Sequence, residues 1–474
     1  MPLSCSSRIE RGIFMLKESD VTRILEEAIG KHADFAEVYM EEKKTSSVGL
    51  LDRNVISCST TASSGIGIRI MSGVNSVYVY SNDFDMDRLL KMAREASLAL
   101  ESGSEHAVKA LSEKCVTDPS KVIKAPMDLS KKDYVDYLMK GIDFAKNFSP
   151  LITQTTANFA TSDKTIRVMN SLGVNKEENK KRSRMYLTVI VSKDNEMQNA
   201  SISPGTLRGF EFFDEYDLIG NTEKKCESVI KMLDAGYAPS GKMPVIIGNG
   251  FGGVIFHEAC GHTLEASSVG IKRSPFTNSL NKQIASSVVS ARDNAKINGE
   301  WGSYETDDEG NESSDLLLIE NGILKNFLVD ELGARRMNCK PTGCSRRQDY
   351  TYAPTSRMSN TYICAGKDKP EDIIADTEYG LYATNMGGGS VDPSTGEFNF
   401  AVNEGFMVRN GKVCEPVRGA TLIGKGPEIL MNIDRVGNDL ALAAGMCGAS
   451  SGGVPVTVGQ PTIRVSSIIV GGRE

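Results

Sequence analysis

The sequence predicts an α+β protein in two parts: an N-terminal mixed α/β domain with antiparallel strands, and a glycine-rich, β-rich C-terminal domain carrying a distorted helix. Three observations carry that prediction. The apolar period switches from helical to alternating near residue 30, the signature of strands following a helix. Glycine is unevenly spread, with 13 of 45 in residues 1–240 and 32 in residues 241–474. Between these stretches lies Gly236–Lys242, GYAPSGK, a Pro/Gly/Ser cluster that marks a boundary. The expected domains are residues 15–235, covering a substrate cleft or building a dimer, and residues 243–474, holding the chemistry.

The elements follow in order. Residues 1–14 carry no pattern, and Met15, just before the first helix signal, is a candidate start beside Met1. Ser19 is the expected cap of a helix with an apolar face of Val21, Ile24, Leu25, Ala28 and Ile29, closed by Gly30. Five short strands are expected next: Phe35–Met40, Ser46–Leu51, Val55–Thr61, Ile66–Ile70 and Val77–Tyr80. Two amphipathic helices follow, near Met86–Leu100 and Lys131–Lys146. From Ile152 to Phe212 the chain is strand-like again, with an apolar strand at Met185–Val191. The basic run before it, Lys176–Arg184, is expected to be a solvated hairpin tip. A helix near Thr222–Leu233 reaches the boundary. Beyond it, Asn321-Gly322 and Asn410-Gly411 each sit between apolar runs, the pattern of two-residue hairpins.

Composition narrows the function classes. The 474 residues carry 54 Lys+Arg and 61 Asp+Glu, a net charge of -7 that argues against a general nucleic-acid binder. No apolar run reaches the ~18 residues of a membrane helix, and the first twenty residues lack the apolar core of a signal peptide. A cytoplasmic address is the expectation. Ten cysteines without a CxxC pair do not make a disulfide scaffold. Cys58, Cys115, Cys226 and Cys364 are expected to be small buried hydrophobes.

The chemistry concentrates in residues 243–266, MPVIIGNGFGGVIFHEACGHTLEA. A strand at Pro244–Ile247 runs through a glycine-rich turn into a helix. Gly248, Gly250 and Gly253 match a dinucleotide fingerprint formally. The acid that should follow about twenty residues on is missing. The expected role of these glycines is close backbone approach. The helix holds His257-Glu258-Ala259-Cys260-Gly261-His262, two of only four histidines in the chain. Chance gives that grouping about three times in a thousand. Histidines at i and i+5 stand about 140° apart on a regular helix, so both reach one ion only if the backbone is irregular. A widened turn at Gly261 is the expected irregularity. A catalytic zinc needs a third protein ligand. Glu265, the run Asp307-Asp308-Glu309, Cys260 and Cys447 are all candidates on spacing alone. Asp307–Glu309 are otherwise expected to form a capped turn. Arg346, Arg347 and Arg357 can each hold a carboxylate bidentately, although structural ion pairs are the first expectation.

The chain resembles the TldD/PmbA family of zinc peptidases, in its TldD branch, from about residue 20 onward. The resemblance rests on the HEACGH motif and on GSYETDDEG (Gly302–Gly310), LIENGILKNFL (Leu318–Leu328), APTSRMSNTYI (Ala353–Ile363), NMGGGSVDPSTGEFNF (Asn385–Phe400) and GMCG with VPVTVGQPTIRV (Gly445–Val465). It implies one Zn2+ per chain, held by the distorted metal-binding helix through His257 and His262 and by Cys447, with Glu258 as catalytic base. It also implies unfolded or extended peptides as substrates, and a homodimer or a heterodimer with a PmbA-type subunit. Direct nucleic-acid or membrane partners are not expected. The alternative is a non-catalytic zinc-containing regulatory subunit, like the DNA gyrase modulators of older description. The chain departs from the family pattern at Gly343–Arg347 and at Gly448–Gly453, both near the expected channel.

Overall fold

A computed structural model gives the fold of residues 16–100, 106–120, 122–392 and 394–472. Met15, a candidate start, lies outside the described residues. The first helix, Glu18–Ile29, buries Val21, Ile24, Leu25, Ala28 and Ile29, and Gly30 closes it at φ 45°. Its N-cap is Lys17, so Ser19 sits inside the first turn and is not the cap.

The five short strands expected next are three. Phe35–Leu51 and Asn54–Ser72 form one long antiparallel ribbon, and Asn75–Ser81 adds to its inner end. The polar stretch Glu41–Thr45 reads as a break, yet it pairs without interruption with Ser162–Ile166 on the other side. Its charge is answered inside the fold: Glu41 is 1% exposed and pairs with Lys164 at 2.8 Å, and Lys164 donates in turn to Gln348 O of the second half at 3.1 Å. Ile152–Asn170 and Asn175–Lys193 complete the centre of an eight-stranded sheet, with Cys115–Thr117 at its far edge. Helices Glu18–Ile29 and Met86–Leu98 pack at one end of this sheet. Helix Lys131–Phe148 packs at the other end, where Tyr134 stacks on Phe159 at 4.6 Å; helix Leu218–Leu233 closes a small adjoining core.

The basic run is a second correction. Lys176–Arg184 is the first half of a 19-residue strand, Asn175–Lys193, not a hairpin tip. Glu178, Lys180, Arg182 and Arg184 are buried against the second half of the chain. Alternation explains it: every second residue faces that second half, where Arg182 and Arg184 donate to the carbonyls of Trp301, Ser303 and Ala444.

The C-terminal half builds two sheets around the largest core. In one, Gly241–Ile247 is central, parallel to Tyr379–Asp392 and antiparallel to Ile463–Gly471. In the other, the order ends with Asn360–Ile363, Gly452–Gln460 and the edge strand Ala441–Ala449. Both Asn-Gly pairs turn as expected, at φ 47° and 83° for Asn321-Gly322 and 49° and 72° for Asn410-Gly411. Gly236–Tyr237, within the expected boundary, adds as a short strand beside Val417–Arg418 of this half.

Buried ion pairs tie the two halves together. Arg69 of the first sheet pairs with Glu309, both under 3% exposed. Glu37 pairs with Arg347 at 2.6 Å, both fully buried. Glu178 accepts hydrogen bonds from the backbone of Glu305 (3.0 Å) and Thr306 (2.7 Å). Among the described residues, no helix is long and apolar enough to cross a membrane.

Candidate metal centre

The centre begins where the strand Gly241–Ile247 leaves the core. A short 3-10 turn, Gly250–Gly253, leads into the helix Val254–Ala259. The glycines permit close packing here. A Cβ on Gly253 would lie 2.5 Å from the backbone of Gly459, on the strand that backs the helix. A Cβ on Gly426 would meet the carbonyl oxygen of Ala259 at 1.9 Å. The helix is thereby sunk between two segments of the C-terminal half, and His257 on it is buried.

The backbone irregularity between the histidines is a break, not a widened turn. The last regular bond runs from Cys260 N to Phe256 O at 3.0 Å. Cys260 then leaves the helical region, at φ -125° and ψ -49°, and Gly261–Leu264 continue as 3-10 helix. Thr263 N and Leu264 N both bond back to Cys260 O. Gly261 allows this because Met358 Sδ fills the place of its missing side chain, 2.1 Å from where a Cβ would stand. The break turns His262 back toward His257, with ring centres 5.1 Å apart and planes at 87°.

Cys447 arrives from 185 residues away, on the edge strand Ala441–Ala449 opposite Val454. Its Sγ lies 3.2 Å from His262 Nε2. One ligand atom from each of His257, His262 and Cys447 lies within 4.8 Å of the others, and all three residues are buried. A tetrahedral ion with bonds of about 2.0–2.3 Å sets adjacent donors roughly 3.3–3.6 Å apart. Two imidazoles and one thiolate are a borderline-soft donor set that suits zinc. His257 Nδ1 is buried without a hydrogen-bond partner, a cost that a bound cation or reorganised shell would relieve. The residues present therefore fit a zinc ion.

Electrostatics favour the thiolate form that a metal needs of Cys447. Burial alone would raise the Cys447 thiol, but the charges and hydrogen bonds of His257 and His262 outweigh it and bring it down to about 4. Cys260, inside the same motif, faces the apolar core, and burial pushes its thiol far above the ordinary value. Cysteine burial elsewhere is mixed: Cys226 is buried, Cys115 and Cys364 are half-buried, and Cys58 is exposed, against expectation.

The other third-ligand candidates have different partners. Glu265 Oε2 sits 3.1 Å from His262 Nδ1, so it holds the far nitrogen of the ring and leaves Nε2 facing Cys447. Asp307 caps a turn, accepting from the backbone of Glu309 and Asn311, while Glu309 pairs with Arg69. Glu258 keeps its carboxylate 23% exposed, 3.7 Å from His262 Nε2. Among the described residues, it is the one acid at the cluster that combines proximity with access.

Two supporting residues were not legible as such. Glu265 stands three residues after His262, and that spacing was the available signal. Arg357 had none for that role. It is fully buried and donates to Cys447 O (2.5 Å), Ser451 Oγ (2.9 Å) and Gly452 O (2.8 Å), pinning the turn that carries the thiolate. Arg347 is committed to Glu37, and Arg346 to Met358 O at 2.8 Å.

Comparison with known proteins agrees along the whole chain. Residues 36–100, 124–231 and 240–472 match domain 1, the central domain and the C-terminal domain of the PmbA/TldA metallopeptidases. The chain is 32% identical over 469 residues to a "Metalloprotease TldD homolog" of Buchnera aphidicola subsp. Schizaphis graminum, covering 96% of both. It is 31% identical to a "Zinc metalloprotease TldD homolog" of Saccharolobus solfataricus, over 56% of this chain and 58% of that one. Its fold matches a crystal structure from Thermotoga maritima, described as a proposed modulator of a DNA gyrase, with a TM-score of 0.78 at 19% identity, covering 96% and 99% of the two chains.

Proposed function

The chain belongs to the TldD/PmbA metallopeptidase family, in its TldD branch, and from that premise we propose that it is a zinc-dependent peptidase of the HExxxH type acting on unfolded or extended peptides. The observation that carries the proposal is the convergence of His257, His262 and Cys447, with Glu258 beside them. These three would hold one zinc ion per chain. Bound there, zinc supplies Lewis acidity, polarising a peptide carbonyl and lowering the pKa of water. The name of the Saccharolobus relative supports the choice of metal.

Glu258 is the general base. Its carboxylate takes a proton from water at the cluster and hands it to the leaving amine. That role is worth about 10²–10⁴ in rate, or roughly 3–5 kcal/mol of barrier. Glu265 keeps the proton of His262 on Nδ1, and Arg357 keeps the Cys447 turn in place. The outer edge of Ala441–Ala449 ends the six-stranded sheet, with Met446 56% exposed beside the thiolate. An extended peptide reaching the cluster would be recognised through its backbone.

Residues 15–235 are proposed as the domain that covers the cleft or builds the dimer, and residues 243–474 as the metallopeptidase domain. A homodimer, or a heterodimer with a PmbA-type subunit, is the proposed assembly. A thiolate ligand is open to oxidation and suits the reducing cytoplasm. The competing reading is a non-catalytic, gyrase-modulator-like subunit with a structural metal. Glu258 favours the peptidase, because a structural site needs no base. Metal content together with cleavage of an unfolded peptide, with and without chelator, separates the two. Chelator-insensitive or absent cleavage by the zinc-loaded protein would sink the peptidase reading.

A further inference from the structure

A cavity of about 240 Å³ lies between the first sheet and the C-terminal half. Seven cations line it: Lys43, Lys164, Lys180, Arg182, Arg184, Arg346 and Arg347, the last paired with Glu37. Some of this charge is answered. Lys164 pairs with Glu41 at 2.8 Å, and Lys180 lies 3.7 Å from both Glu178 and Asp308. Among the described residues, Lys43, Arg182, Arg184 and Arg346 have no ion-pair partner. Arg182 donates to the carbonyls of Trp301 (3.0 Å) and Ser303 (2.7 Å), and Arg346 to that of Met358, which satisfies donors but not charge.

Arg184 is the most exposed in energetic terms and among the least in space. It is 7% accessible, lies against the rings of Tyr186 and Trp301, and donates once, to Ala444 O at 2.7 Å. Its Nε and Nη1 are buried without any partner. Of the two acids on the wall, Asp307 offers little negative charge: burial and neighbouring Glu309 hold its carboxyl well above the usual range. Burial presses Lys43 and Lys180 down, and burial together with the charge of Arg346 brings Arg182 to about 10. Asp308, the other acid, is held below the usual carboxylate range by Lys180, Lys164 and Arg347 despite its burial, and so answers part of the charge. Four cations without an ion-pair partner remain around one cavity, which is costly, so the arrangement calls for an anion.

The cavity shares its wall with the metal centre. Met446, Gly453, Val454 and Pro455 line it, and Cys447 stands opposite Val454 on the same hairpin. Arg184 and Trp301 bond to Ala444 O and Gly445 O, just before Met446 and Cys447 on that edge strand. Met358, whose carbonyl holds Arg346, packs against Gly261 between the histidines.

We propose that this cavity is a carboxylate subsite that takes the C-terminal α-carboxylate of an extended peptide bound at the neighbouring metal centre. The proposal rests on the peptidase reading and adds to it where the chain's end is held. An α-carboxylate fits because every peptide carries one whatever its sequence, which suits a site that otherwise reads backbone. Its two oxygens match the paired donors of a guanidinium.

The test is binding, measured separately from cleavage. A fluorescent unfolded peptide is titrated by anisotropy into full-length Glu258→Gln protein, as the free acid, as the C-terminal amide, and as the amide with a glutamate near its end. The free acid should bind at least tenfold tighter than the amide, and both Lys43→Met and Arg184→Met should bring the two to parity. Using two variants guards against one of them misfolding. Equal binding of acid and amide overturns the proposal. Recovery of tight binding by the glutamate-bearing amide overturns it in favour of an acidic side chain. Displacement of acid and amide alike by millimolar inorganic phosphate overturns it in favour of a free-anion site. Discrimination between acid and amide by a protein whose wild type cleaves neither would leave the subsite standing and remove the peptidase reading.

Discussion

Replacing Glu265 by Gln tests whether the centre is built by its supporting carboxylate as well as by its ligands. Glu265 is 4% exposed, and its Oε2 lies 3.1 Å from His262 Nδ1. Gln keeps an acceptor oxygen in nearly the same place, so the packing should survive. What is lost is the negative charge that makes the ring more basic and fixes its orientation. Partners of this kind are worth 10–100-fold in metal affinity, about 1.4–2.7 kcal/mol. The sign of the pH dependence follows from the metal-free protein. Burial alone would lower the pKa of His262, but the charge of Glu265 and the bonds to Cys447 and Glu265 raise it well above the ordinary value. Zinc must displace that proton, so affinity falls as pH drops. Gln removes part of the raised pKa, so the gap between wild type and variant should be widest at high pH and narrow as pH falls. The assay is competition against a chromophoric chelator over a pH series, with urea unfolding of the metal-free proteins as control. A variant that binds zinc within threefold of wild type at every pH, while folding normally, would refute the orienting role.

Three further outcomes follow from the same structure. Cys447→Ser should purify largely free of zinc and inactive, whereas Cys260→Ser should keep both metal and activity; metal analysis of the two decides, and the reverse pattern would place the site inside the helix. Arg69→Met should cost about 3–5 kcal/mol in urea unfolding, because it leaves buried Glu309 uncompensated where the two halves meet. Gly253→Ala should cost about 1–3 kcal/mol, since its Cβ would stand 2.5 Å from the Gly459 backbone and push the helix off its strand; an unchanged melting temperature would show that the helix has room to move.

Local pattern made much of the fold legible. The buried face of Glu18–Ile29 and both Asn-Gly turns announce themselves through period and turn chemistry. The long strands did not, because Glu41–Thr45 and Lys176–Arg184 are charged and look solvated. Their burial depends on the C-terminal half lying against them, and no local rule contains that. The site divides the same way. His257, Glu258 and His262 share one segment with a recognisable spacing, and that spacing required the backbone to deviate. The form of the deviation, a break at Cys260, depends on Met358 filling the space beside Gly261. Cys447 and Arg357 are brought in by tertiary structure, so chain distance hid them. Resemblance pointed to Cys447; Arg357 stood out only as a carboxylate-binding or ion-pairing side chain, not as a support for Cys447.

The central claim is that this cluster is a working catalytic centre with Glu258 as its base. Zinc content and peptide cleavage measured together on Glu258→Gln test it most directly. Glu258 is not among the three converging ligand residues, so the variant should keep one zinc per chain while cleaving an unfolded peptide at least ~10²-fold more slowly than wild type. Near-native cleavage by the zinc-loaded variant, or loss of its zinc, would contradict the account.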